Sequence, residues 1–138
     1  YAAYTRAFNR AEQFIAAVTR HPELALCIDT GHARLGADLH GRDYFADIRA
    51  LAPHARSMHL WNTTGEGAEH IPLHPSQAPA DGWIDIERTL RIVLAERPDL
   101  TIIFEYPVAE VTRRIQSGYD WVKRIVAEFQ LTDIHRGQ

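Results

Sequence analysis

The stretch CIDTGH, residues 27–32, runs from an apolar segment straight into a carboxylate, a hydroxyl, a glycine and an imidazole. Two later apolar runs end in a similar way. SMHLWN places His59 near the end of one, and IIFEY sets Glu105 directly after three apolar residues. Two carboxylates and one imidazole offer hard oxygens and a borderline nitrogen, a donor set that suits Mn, Mg, Co, Fe or Zn. The same groups can also carry protons in acid–base chemistry. Taken singly, two of them have structural readings: Asp29 as a helix cap or loop-closing hydrogen bonder, and His59 as a core histidine on a backbone carbonyl. Glu105 is harder to dismiss, because a carboxylate buried after an apolar run needs a partner or a cation. Their equivalent positions on three successive runs favour one shared site.

The elements that would carry these residues alternate. An amphipathic helix is expected over 3–20, with Phe8, Ala11, Phe14, Ile15 and Val18 on one face, and Pro22 closes it. A short apolar strand follows over 24–28, then a glycine-containing loop. A second helix, roughly 41–53, turns Tyr44, Phe45, Ile48 and Leu51 inward, and a strand covers 56–61. A long polar loop spans 62–82. A third helix over 84–97 has Asp85 as its N-cap and buries Ile86, Leu90, Val93 and Leu94. The last strand covers 101–106 and is punctuated by Pro107. A final helix carries Ile115, Tyr119, Val122, Ile125 and Phe129. The order α-β-α-β-α-β-α implies a parallel sheet with right-handed crossovers, whose C-terminal strand ends all lie on one side. That side is where α/β folds place their sites. The loop over 62–82 exceeds the ~12–15 residues usual for a structureless connection, which marks it as functional.

Composition sets outer bounds. At 138 residues and 46% hydrophobic, the chain has the size of one domain with a real core. A formal charge of −3, with the two signs interspersed, argues against nucleic acid or an anionic membrane as partner. Cys27 is the only cysteine, so no internal disulfide forms; a small buried hydrophobe in a reducing, cytoplasmic setting is the expectation. No apolar run approaches the ~20 residues that span a bilayer. The sequence opens on Tyr1 rather than Met and enters an amphipathic pattern at once, which suggests a piece of something longer.

CIDTGH, a histidine on the next strand, a His-Pro loop running into GWID and a strand ending in glutamate together resemble the xylose-isomerase-like TIM barrels. That superfamily includes sugar-phosphate isomerases and epimerases, the tagatose and allulose 3-epimerases, and the endonuclease IV enzymes. The resemblance covers nearly the whole chain but only the C-terminal half of a (β/α)8 barrel, strands six to eight with their helices. It implies that Asp29, His59 and Glu105 bind one divalent metal ion, with Glu105 also handling a substrate proton. It implies further that His32 contacts substrate oxygens and that His70 and His74 of the long loop meet the polar end of a small sugar. A polar loop without ligand role is the competing reading of His70 and His74. The family's other glutamate belongs to strand five, which this sequence lacks.

The departures bear on the branch. The endonucleases carry Asp-x-His in the loop after strand seven, whereas this chain has Ala68-Glu69-His70, with Glu66 and Glu69 the nearest substitutes. The sugar branch fits better. Its chemistry removes a proton alpha to a ketose carbonyl and returns it, with a cation stabilising the enediolate charge and Glu105 as one of two bases. Trp61 and Trp83 are candidates to wall the pocket, and Arg34 is a weak candidate for an anion contact. Three strands cannot close an eight-stranded barrel. The isolated chain is therefore expected to be inactive, and its open edges invite pairing of two copies as a homodimer. The alternative function is an inactive barrel half serving as a structural or interaction module.

Overall fold

Among the described residues three short strands form a single parallel sheet of strand order β1-β2-β3, comprising β1 (Leu26–Asp29), β2 (Ala55–Leu60) and β3 (Thr101–Phe104). The structure, a computed structural model, describes residues 9–67 and 69–136, with side chains through residue 131. Phe8, Ala68 and the beginning of the helix expected over 3–20 lie outside the described residues.

Register divides the sheet into two unlike faces. Ile28 pairs with Met58 and Met58 with Ile102, while Leu60 pairs with Phe104. These residues belong to the hydrophobic core or pack against it, with Ile28, Met58 and Leu60 fully buried. The opposite face carries Cys27 beside Ser57 and Thr101, then Asp29 beside His59 and Ile103. Only Asp29 is buried there; Ile103 is 43% exposed. Cys27 is half-buried rather than a core residue, because it points to this second face.

Among the described residues five α-helices accompany the strands. α1 (Ala11–Arg20) starts later than its apolar pattern suggests, because Arg10 is extended and Gln13 Oε1 accepts from the Asn9 and Arg10 amides. Between β1 and β2 the chain forms two helices, α2 (Thr30–His40) and α3 (Tyr44–Leu51). The expectation of a loop over the first of these is corrected. Asp29 caps α2 by accepting from the His32 amide, and the helix buries mainly small residues, Ala33 and Ala37 beside Leu35. Gly41, at φ 61°, ends it in the left-handed conformation that glycine tolerates. Asp43 then caps α3 through the Ala46 amide.

α4 (Ile86–Glu96) is capped by Asp85 through the Arg88 amide, as its sequence predicts. α3 and α4 are tied by Tyr44 and Thr89, whose hydroxyls lie 3.2 Å apart in the core. The Thr89 hydroxyl proton goes to the Asp85 carbonyl at 2.8 Å, so Tyr44 is the donor of the pair. α5 (Arg113–Arg136) closes the fold and buries Val122 and Ile125. It approaches the long loop so closely that a Cβ on Gly118 would strike the Leu73 carbonyl.

The long segment between β2 and α4 is ordered by side chains rather than by regular structure. Asn62 pairs with Ile71 in an isolated antiparallel bridge. Its buried side chain accepts from the Thr63 and Ile84 amides and donates to Gln77 Oε1. Gln77 in turn accepts from the His74 amide and donates to the Pro72 carbonyl. Two buried amides thus hold both ends of the loop in place.

Candidate metal centre

β1, β2 and β3 end in step, so residues at their C-terminal ends meet. Asp29 pairs directly with His59 across β1 and β2. Glu105 follows β3 by one residue, with its amide still donating to the Leu60 carbonyl at 3.1 Å. All three side chains project to the half-open face, and each offers a ligand atom within 4.8 Å of the others. His59 Nδ1 lies 3.1 Å from Glu105 Oε2 and 3.8 Å from Asp29 Oδ2. Among the described residues this is the only such group of potential ligands.

The two oxygens of Asp29 have different surroundings. Oδ1 accepts from the His32 amide and from the Trp61 indole N–H, both at 2.8 Å. Oδ2 faces His32 Nδ1 at 3.0 Å and, farther off, His59. Helix cap and candidate ligand are therefore the same residue, and the two sequence readings of Asp29 are compatible.

Glu105 supplies the test of fit. Its Oε2 atom is buried and accepts no hydrogen bond, although His59 Nδ1 is 3.1 Å away. A buried carboxylate oxygen left in this state is costly. A divalent cation bonded at ~2.0–2.2 Å to oxygen and nitrogen would bring its ligand atoms about this close together. The donor set and the orphaned oxygen both fit such an ion.

Around the three residues stands a group of rings. Trp61 is fully buried and stacks on His70, with centroids 4.1 Å apart and planes 14° apart. His32 meets Trp61 edge-on at 5.2 Å and His70 at 5.5 Å. His70 Nδ1 lies 2.9 Å from the Glu105 carbonyl oxygen. A carbonyl can only accept, so that nitrogen carries a proton and donates it.

His32 and His70 are thus brought to the site, whereas His74 is engaged locally. Its Nδ1 accepts from the Ser76 amide and lies 2.7 Å from the Ser76 hydroxyl. Arg34 is paired with Asp38 at 2.7 Å. Glu66 and Glu69 are exposed.

The DTGH motif now has a role for every residue. Asp29 caps α2 and faces the site. Thr30 Oγ1 donates to the Trp61 carbonyl at 2.7 Å and accepts from its amide at 3.2 Å, which locks the start of α2 to the end of β2. A Cβ on Gly31 would fall inside the Trp61 ring, so only glycine leaves room for the indole. His32 contributes its amide and its ring.

The indole N–H bond to Asp29 was not legible in sequence, since a tryptophan after a strand reads as packing. No protein-family model, curated protein or solved structure matches this chain.

Proposed function

We propose that this chain is the C-terminal half of a xylose-isomerase-like barrel. In this reading it holds one divalent cation with Asp29, His59 and Glu105 for isomerisation or epimerisation of a small sugar. The observation that carries the reading is the convergence of these three side chains at adjacent parallel strand ends, with Glu105 Oε2 buried and lacking a donor. Mn, Mg, Co and Zn all suit two carboxylates and an imidazole.

When bound, the cation would supply Lewis-acid stabilisation of charge on neighbouring oxygens. The chain's own residues do the rest. Asp29 is held with Oδ1 saturated by two N–H donors, leaving Oδ2 toward the cluster. Glu105 presents a carboxylate at the half-open face, where it can take a proton from a substrate carbon and return it. His70 Nδ1 lies 3.8 Å from Glu105 Oε2 and His32 Nδ1 lies 3.0 Å from Asp29 Oδ2, and both rings would offer a nitrogen to substrate oxygens. Trp61, which is fully buried, closes the floor of the site rather than its rim.

The resemblance assigns a fourth ligand and the opposing base to a strand this sequence does not contain. The 138 residues alone are therefore proposed to bind the cation without turning over a ketose. The second reading, a barrel half that acts as a structural or interaction module, draws on the half-open face with Ile103 at 43% exposure. A zinc nuclease has no comparable support, because Glu66 and Glu69 are exposed and stand outside the three-residue group.

Metal titration with Mn²⁺ and Zn²⁺, followed by calorimetry and elemental analysis, tests the proposal beside the Asp29→Ala, His59→Ala double variant. Near-stoichiometric metal in the wild type and none in the variant is the expected result. Equal binding by both proteins, or by neither, would sink the assignment.

A further inference from the structure

We infer that Trp61 is the positioning residue of this site, one buried indole holding two of the three ligands; the inference rests on the metal-binding reading above. Its N–H donates to Asp29 Oδ1 at 2.8 Å, beside the His32 amide on the same oxygen. The carboxylate cannot rotate without breaking two bonds to a charged acceptor, which are stronger than neutral ones. Oδ2 is thereby kept toward His59.

The flat face of the same ring stacks on His70, whose Nδ1–H donates to the Glu105 carbonyl. Movement of the indole would loosen the Asp29 side chain directly and the Glu105 backbone through His70.

The indole is itself fixed from behind. Thr30 clamps both backbone polar groups of Trp61, and Gly31 clears the space its ring fills. Packing alone would be served by Phe or Leu. The indole combines a stacking face with an edge N–H that can only donate, which suits a carboxylate acceptor.

Outer contacts of this kind typically change metal affinity by 10–100-fold. Trp61→Phe keeps an aromatic face and removes the donor, so Mn²⁺ affinity should fall by about that factor. Val93→Ala, a truncation in the core side of α4, controls for general destabilisation and should leave affinity unchanged. A Trp61→Phe protein that binds Mn²⁺ as the wild type does would overturn the inference while leaving the site assignment intact.

A second readout needs neither metal nor the Trp61 variant. In ¹⁵N spectra of the metal-free chain, the Trp61 indole signal, assigned from its contacts to the His70 ring, should shift upfield and exchange faster in Asp29→Asn. An unmoved signal overturns the inference. Should the wild type bind no metal, the site assignment fails on its own, and the indole signal still decides whether Trp61 holds Asp29.

Discussion

Trp61 constrains three residues of the DTGH turn, Asp29 through its indole N–H, Thr30 through its backbone and Gly31 through its ring. A methyl group there would occupy the Trp61 ring, which is fully buried and tied through its N–H to Asp29. Against this stands the ordinary gain from replacing a helical glycine with alanine, roughly 0.5–1 kcal/mol. Overpacking a well-filled core costs about 1–3 kcal/mol, so the clash outweighs the gain. Gly31→Ala is expected to lower the thermal midpoint by several degrees, and thermal denaturation followed by circular dichroism checks it. A rise in the midpoint would mean that the indole is free to move aside. At this scale the sequence was partly legible. Asp29, His59 and Glu105 declared themselves as polar groups ending apolar runs, but a bond between an indole and a carboxylate 32 positions apart leaves no local pattern.

Among the elements, β1, β3 and the capped helix α4 were legible, because the continuous apolar runs LALCI and TIIF and a correctly placed Asp85 are local signals. α2 was not. Its buried face is built largely from alanine and glycine, so its apolar periodicity is weak although the segment is helical throughout. The order of the long loop was equally hidden, since Asn62 and Gln77 meet across 15 positions. The packing of α3 on α4 carries a pH signature. Burial pushes the Tyr44 phenol above its ordinary value. A raised phenol pKa means that the fold holds the neutral form. The stability this contributes is complete below about pH 10 and is lost as pH rises through the folded value. Tyr44→Phe should cost about 0.5–1.5 kcal/mol at neutral pH through the lost hydrogen bond. Above about pH 10 the gap between the two proteins should narrow, because the variant has no Tyr44 proton to lose. The burial-raised phenol of Tyr106 is common to both and cancels in the comparison. Urea midpoints across this range provide the check, and a constant gap would show that Tyr44 is not the group responsible.

Among the described residues the sheet has one covered face and one half-open face, and both outer strands lack a neighbour on one side. Parallel sheets are ordinarily covered on both faces. Unpaired strand edges are templates for another chain, and inward-pointing charges are one way proteins block them. Ile103 is the apolar residue at the centre of this exposure. It sits on edge strand β3, in register with His59, at 43% exposure. Two copies that join β1 of one to β3 of the other would cover Ile103, satisfy both edges and bring two Asp29–His59–Glu105 groups into one enclosure. The described chain is therefore expected to self-associate, with a weight-average mass in sedimentation that rises with concentration. Ile103→Lys should remain monomeric with little change in thermal midpoint, because the side chain leaves the open face rather than the core formed by Ile28, Met58 and Leu60. Wild-type protein that stays monomeric over the full concentration series would count against a second copy as the cover for this face. Association that Ile103→Lys leaves untouched would instead move the contact elsewhere, with the exposed Leu39 of α2 or Val111 before α5 as the next apolar positions to replace.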